Sequence, residues 1–204
     1  MNKLITDFST YEKLLKDRRL KQELFDAVDY ITNNKIQPKG RQKLQLLPVS
    51  IRGIPVALRN KLDYGDIGEY DSDAKVIILG YNYYNMHNEY DLLNTLIHEY
   101  GHAYLYKKKI PKLTSRAFYD QHEFFCQMLS LFYIAKLCSA QRNAIYAWCK
   151  VHTKKVRQQI DTANDFPTSY YKRYYYQYLR PLYQQFTKHY PPDANFRKLV
   201  TEST

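Results

Sequence analysis

The stretch Thr95–Tyr106, TLIHEYGHAYLY, sets two histidines four residues apart with a glutamate directly after the first. On a helix, His98 and His102 stand one turn apart on the same face. Two neutral imidazoles in that arrangement can share one tetrahedral zinc ion. Glu99 lies one step round the helix, too near for the usual third ligand but placed to act as general base on the attacking water. The chemistry needs all three residue types. Imidazoles hold the metal without cancelling its charge, the metal brings the pKa of water toward neutrality, and the carboxylate takes the proton. With 6 His in 204 residues, chance placement of His-Glu-x-x-His is expected only about 0.006 times. The competing reading is an amphipathic helix whose histidines are merely hydrogen-bonded.

Working outward, Leu92, Leu93, Leu96 and Ile97 give residues 89–109 a helical apolar period, with Asn88 as N-cap and Pro111 beyond the end. Gly101 costs about 1 kcal/mol inside a helix relative to Ala, so it is expected where the helix packs closely against a strand. Upstream, LQLLPVSI, IPVALRNKL and GEYDSDAKVIILG are short, β-branched and punctuated by Gly, Pro and Asp, which predicts a small sheet over about 44–80. KVIILG is its most apolar strand and is expected to be central or well covered. Residues 9–34 read as one N-terminal helix, with Ser9 and Glu12 at capping-box spacing. The expected fold class is therefore α+β: a small sheet packed on an active-site helix, with additional N- and C-terminal helices.

A hydrolytic zinc site needs a third protein ligand and an open position. Asp120, His122 and Glu123 open the next apolar helix, expected over about 117–138, while His152 and His189 are remote in sequence. The helical wheel does not choose among them, because nearly every face of this helix is apolar. The helix dipole favours a carboxylate near the first turn, which points to Glu123, with His122 as the rival.

Composition narrows the partners. The formal net charge is +11 and the chain carries 22 tyrosines against one tryptophan. A basic surface favours polyanions, and tyrosine rings can stack on unpaired bases. Lys107, Lys108 and Lys109 follow the metal-site helix, and Lys154, Lys155, Lys172 and Arg173 mark a basic, Tyr-rich stretch. These are candidate nucleic-acid contacts; the alternative is a solvated face with tyrosines packed inward. Three cysteines without a CxxC pair argue for reduced thiols. The absence of a long apolar run or a signal-peptide pattern argues against a membrane and for a cytoplasmic or nucleoid-associated protein. Residues 1–140 are expected to form the metal-site domain, and 141–204 a basic helical extension packed on the same unit.

KVIILG followed by LLNTLIHEYGHAYL and HEFFCQML resembles two related kinds of small zincin metallopeptidase. TLIHEYGHAYL with HEFFC is similar to the SprT-like, or Spartan-type, group; HEYGH with EFFCQML is similar to the ImmA/IrrE-like group. The first resemblance implies a metal role for His122, the second for Glu123. Both imply a single Zn2+ and peptide-bond hydrolysis, and the SprT-like one implies protein substrates associated with DNA, single-stranded or protein-crosslinked. The chain departs from both groups: His122 lies further from His102 than the SprT-like pattern has it, no cysteine-rich ribbon follows, and no helix-turn-helix precedes. A nucleic-acid-binding protein with a structural or vestigial zinc site is the alternative.

Overall fold

A computed structural model describes residues 2–34, 44–60, 62, 67–80, 89–110, 116–150 and 178–193, with side chains described outside 116–120 and 147–150. Among these are seven helices and a four-stranded mixed sheet, an α+β fold. The helices are α1 (Lys3–Thr6), α2 (Phe8–Lys16), α3 (Arg18–Asn34), α4 (Glu89–Lys107), α5 (Arg116–Leu137), α6 (Ser139–Lys150) and α7 (Arg180–His189); the strands are β1 (Gln45–Ile51), β2 (Ile54–Arg59), β3 (Gly68–Asp71) and β4 (Val76–Gly80). The chain divides into two compact units, residues 13–130 and residues 1–12 with 131–204, the boundaries falling within α2 and α5.

The first of these units carries the sheet, in the order β1-β2-β4-β3. β4 is central, parallel to β2 and antiparallel to β3, and all five of its residues are buried. That is the environment a continuous Val-Ile-Ile-Leu run requires, and it bears out the expectation for KVIILG. Arg52 and Gly53, with φ of 54° and 80°, form the two-residue β1–β2 turn. Such a turn matches the twist of the flanking strands. Arg52 is not a residue that favours positive φ, and it is held from outside the hairpin: its N–H donates to Glu23 Oε2 at 2.6 Å, and its Nε lies 3.6 Å from Asp17 Oδ2.

α3 lays Leu20, Leu24, Ala27, Val28 and Ile31 inward, and it packs on β1 and α4. The single helix expected over 9–34 is instead divided at Asp17. The Asp17 carboxylate accepts from the Leu20 N–H at 3.0 Å, so it caps α3 in the way a first-turn donor needs. The expected capping box is also displaced. Ser9 donates from its N–H and its Oγ to the Asp7 carboxylate at 3.0 and 2.8 Å, making Asp7 the acceptor at the start of α2.

α4 is buried on most sides and lies against β3 and β4. It ends two residues earlier than expected because Lys109 takes φ 53°. The Ile110 N–H then donates to the Leu105 carbonyl at 3.2 Å and the Lys109 N–H to the Tyr106 carbonyl at 2.9 Å, a left-handed C-terminal stop. Gly101 meets α5 and not a strand, correcting the expectation: a β-carbon there would sit 2.9 Å from Cys126 Sγ and 3.1 Å from Cys126 Cα. The expected N-cap Asn88 and Pro111 lie outside the described residues.

The second unit is held by aromatic packing. Phe132 meets Tyr11 edge-on at 5.4 Å and stacks on Phe186 at 5.0 Å, and Phe186 stacks on Tyr190 at 4.8 Å. The Tyr11 hydroxyl donates to the Ile5 carbonyl and the Tyr183 hydroxyl to the Arg142 carbonyl. Tyr183 and Phe186 of the Tyr-rich segment are therefore core residues. Pro181 sits in the first turn of α7, where its missing N–H breaks no helical hydrogen bond. No helix among the described residues is long and apolar enough to cross a membrane.

Candidate metal centre

Three side-chain groups converge between α4 and α5. His98 Nε2 lies 3.2 Å from His102 Nε2. The Glu123 carboxylate reaches both, with Oε2 at 3.2 Å from His98 Nε2 and Oε1 at 3.3 Å from His102 Nε2. A tetrahedral ion with bonds of about 2.0–2.1 Å separates its ligand atoms by about 3.3 Å. In this triangle of groups the His98–His102 edge of 3.2 Å matches that separation, and the carboxylate sets a different oxygen against each imidazole, at 3.2 and 3.3 Å, so the three groups suit a metal ion. Burial works against a charged Glu123, but hydrogen bonds and charge from His102 and His98 overcome it and hold the carboxyl well below its ordinary range.

Cys126 offers a second grouping, its Sγ and the two histidine nitrogens lying within 4.8 Å of one another. The state of the thiol favours Glu123 over it. The thiol is fully buried. Burial, then the charges of Glu123 and Glu99, push its pKa well up, and metals bind the thiolate form. Cys126 instead forms the floor beneath Gly101, where the two helices touch.

Glu99 faces β3. A β-carbon on Gly68 would come within 3.1 Å of Glu99 Cγ, 3.2 Å of Glu99 Oε1 and 2.6 Å of Thr95 Cγ2. Only a glycine lets the strand approach this closely, and the result is a Glu99 just 6% exposed at the bottom of the cleft. The cleft has a volume of about 750 Å³, and its walls include Gly68 and Tyr70 of β3, His98, Glu99, His102 and Tyr106 of α4, and His122, Glu123 and Gln127 of α5.

The structure thus brings together His98, Glu99, His102 and Glu123. The rival His122 is buried on the same helix at 8% exposure and lines the cleft, but it is not part of the triangle. Tyr104 turns away, its ring stacked on Phe125 at 5.9 Å with Lys108 Nζ 5.7 Å from its centroid. Lys107, Lys108 and Lys109 are exposed at the end of α4 and do not line the cleft. Lys154, Lys155, Lys172 and Arg173 lie outside the described residues. The contributions of β3, Gln127 and the Cys126 floor were not anticipated. Gly68 carried a signal only as a glycine opening a strand, and Cys126 carried none beyond its apolar neighbours.

Compared with known proteins, the chain matches no family model, no curated protein and no solved structure.

Proposed function

We propose that this chain is a zinc-dependent peptidase in which His98, His102 and Glu123 hold the ion and Glu99 is the general base. The observation that carries this reading is the triangle of groups in which two imidazole nitrogens lie 3.2 Å apart and one carboxylate sets an oxygen against each, at 3.2 and 3.3 Å, beside a second acid that is not one of its corners. When bound, zinc lowers the pKa of water and polarises a carbonyl. The chain's own groups supply the rest. Glu99, at the cleft floor, takes a proton from the water that attacks the peptide carbonyl and passes it to the leaving nitrogen, so that the C–N bond breaks to a carboxylate and an amine. β3 is one of the two edge strands of the sheet and lines the cleft; an edge strand offers unpaired backbone groups to an extended peptide. A peptide laid along it passes over Glu99.

A third ligand at Glu123 supports the ImmA/IrrE-like resemblance over the SprT-like one within the zincin metallopeptidases. The net charge of +11 and the exposed lysines at the end of α4 favour substrates bound to DNA or regulatory proteins near it. A nucleic-acid-binding protein with a structural zinc site is the weaker reading, since three ligands facing an open cleft leave a coordination position for chemistry.

Metal analysis combined with hydrolysis of an unfolded protein tests the proposal. Wild type is expected to carry about one zinc per chain, to hydrolyse the substrate, and to lose activity to a chelator and regain it with zinc. Glu123→Ala is expected to lose the metal, and His122→Ala and Cys126→Ala to keep it. Wild type that binds no zinc overturns the proposal, and retention of zinc by Glu123→Ala overturns the ligand assignment.

A further inference from the structure

Glu99 and Tyr106 are seven residues apart on α4. At about 100° per residue this brings Tyr106 to within about 20° of the Glu99 direction, about 10 Å further along the axis. The contacts agree with the wheel. Glu99 lies against Gly68, and the Tyr106 ring meets Tyr70 of the same strand with centroids 6.2 Å apart at 63°. Both residues therefore look across the cleft at β3, one at each end of the span that holds His102. Helical side chains lean toward the N-terminus of their helix, so the Tyr106 ring leans back over the turn of His102. Tyr70 packs against it from β3. Tyr106 is 43% exposed although large and aromatic, and it spends that exposure in the cleft. Tyr104, the other tyrosine of this turn, is committed to Phe125 and Lys108.

Attack at a peptide carbonyl turns its oxygen into an oxyanion, and a fixed donor aimed at that oxygen stabilises the transition state more than the ground state. With the base at one end of the span, the donor belongs at the other. We infer that Tyr106 is a catalytic residue of this site, its phenol O–H donating a hydrogen bond to the carbonyl oxygen of the scissile peptide as negative charge builds there. No proton leaves the phenol; the proton balance remains with Glu99, which passes what it takes from water to the leaving nitrogen. The inference rests on the peptidase reading above.

The test compares zinc-loaded wild type, Tyr106→Phe and Tyr104→Phe. Tyr106→Phe is expected to keep its zinc and its KM within about two-fold while kcat falls about 10²–10³-fold. Tyr104→Phe is expected to match wild type. A blocked phosphinic tripeptide, which mimics the tetrahedral state, provides a readout apart from turnover. Its affinity, measured by calorimetry, is expected to fall in Tyr106→Phe by a factor comparable to the loss in kcat. Unchanged kcat and unchanged phosphinic affinity in Tyr106→Phe overturn the inference and leave the peptidase reading standing. A rise in KM alone also overturns it, because that marks a platform for the bound peptide and no preference for the transition state. Wild type that holds zinc but cleaves no peptide overturns both.

Discussion

Replacing Gly101 by alanine sets two effects of opposite sign against each other, and the structure decides between them. In an exposed helix interior the change stabilises by about 1 kcal/mol. Here the new β-carbon would lie 2.9 Å from Cys126 Sγ, 3.1 Å from Cys126 Cα and 3.3 Å from Cys126 Cβ. Carbon atoms sit comfortably at about 3.5 Å or more, so the contact with Cα is short by about 0.4 Å. A side-chain sulfur can rotate aside, but the Cα of α5 can yield only if the helix moves. Overpacking of this kind costs about 1–3 kcal/mol, which offsets or exceeds the propensity gain and leaves the variant destabilised by up to about 2 kcal/mol. The larger consequence is for the metal. Glu123 lies one turn before Cys126 on α5, and a ligand shift of about 0.4 Å exceeds the tolerance of about 0.2 Å on metal–ligand distances. Zinc affinity is expected to fall about 10–100-fold, the range seen when the support of a ligand is lost. Circular dichroism melts of the metal-free protein and chelator competition for zinc measure the two effects. Adding Cys126→Ala removes the sulfur contact but not the one with Cα, so only part of the loss is expected to return. A raised Tm and unchanged zinc affinity in Gly101→Ala would mean that the two helices do not meet at this point.

Three further outcomes follow from the same geometry. Gly68→Ala would place its β-carbon 2.6 Å from Thr95 Cγ2 and 3.1 Å from Glu99 Cγ; kcat is expected to drop at least about ten-fold with zinc content unchanged, and Thr95→Ser to restore part of it, as steady-state kinetics and metal analysis would show. The Cys126 thiol, pushed up by burial, is expected to resist iodoacetamide at pH 8 in the folded protein and to react promptly in urea. Because its folded pKa is raised, the stability it contributes is complete below the unfolded value of about 8.5 and declines as pH rises above it, so the urea midpoint should fall between pH 8 and 10 more in wild type than in Cys126→Ala. Tyr183→Phe removes the hydroxyl that donates to the Arg142 carbonyl and is expected to cost about 1–2 kcal/mol in denaturant unfolding without changing zinc affinity.

His98, Glu99 and His102 were legible in the sequence because a helix converts an interval of four residues into a shared face, whatever surrounds it. The same rule could not separate His122 from Glu123. Their helix is apolar on nearly every side, so its wheel shows no preferred face. What sets Glu123 against the two imidazoles is where α5 touches α4, through Gly101 and Cys126, a contact between residues far apart in the chain. KVIILG announced a covered strand by its unbroken apolar run, but its parallel pairing with β2 is a matter of topology that local composition does not carry. The break at Asp17 was hidden for a different reason. Leu14, Leu15, Leu20 and Leu24 are all buried, so the apolar pattern passes through the break, and only the side chain of Asp17 marks it. Lys107, Lys108 and Lys109 spoke to charge alone, and they have no part in the walls of the cleft.

Glu99 is the residue on which the proposed chemistry depends. Zinc-loaded wild type and Glu99→Gln, compared for metal content and for cleavage of an unfolded protein, differ by one atom at the cleft floor and by none of the corners of the triangle. The expected result is equal zinc in both, with the rate of peptide-bond hydrolysis in Glu99→Gln lower by about 10²–10⁴-fold. Equal zinc with equal rates in the two proteins, or no cleavage by zinc-loaded wild type, would contradict it.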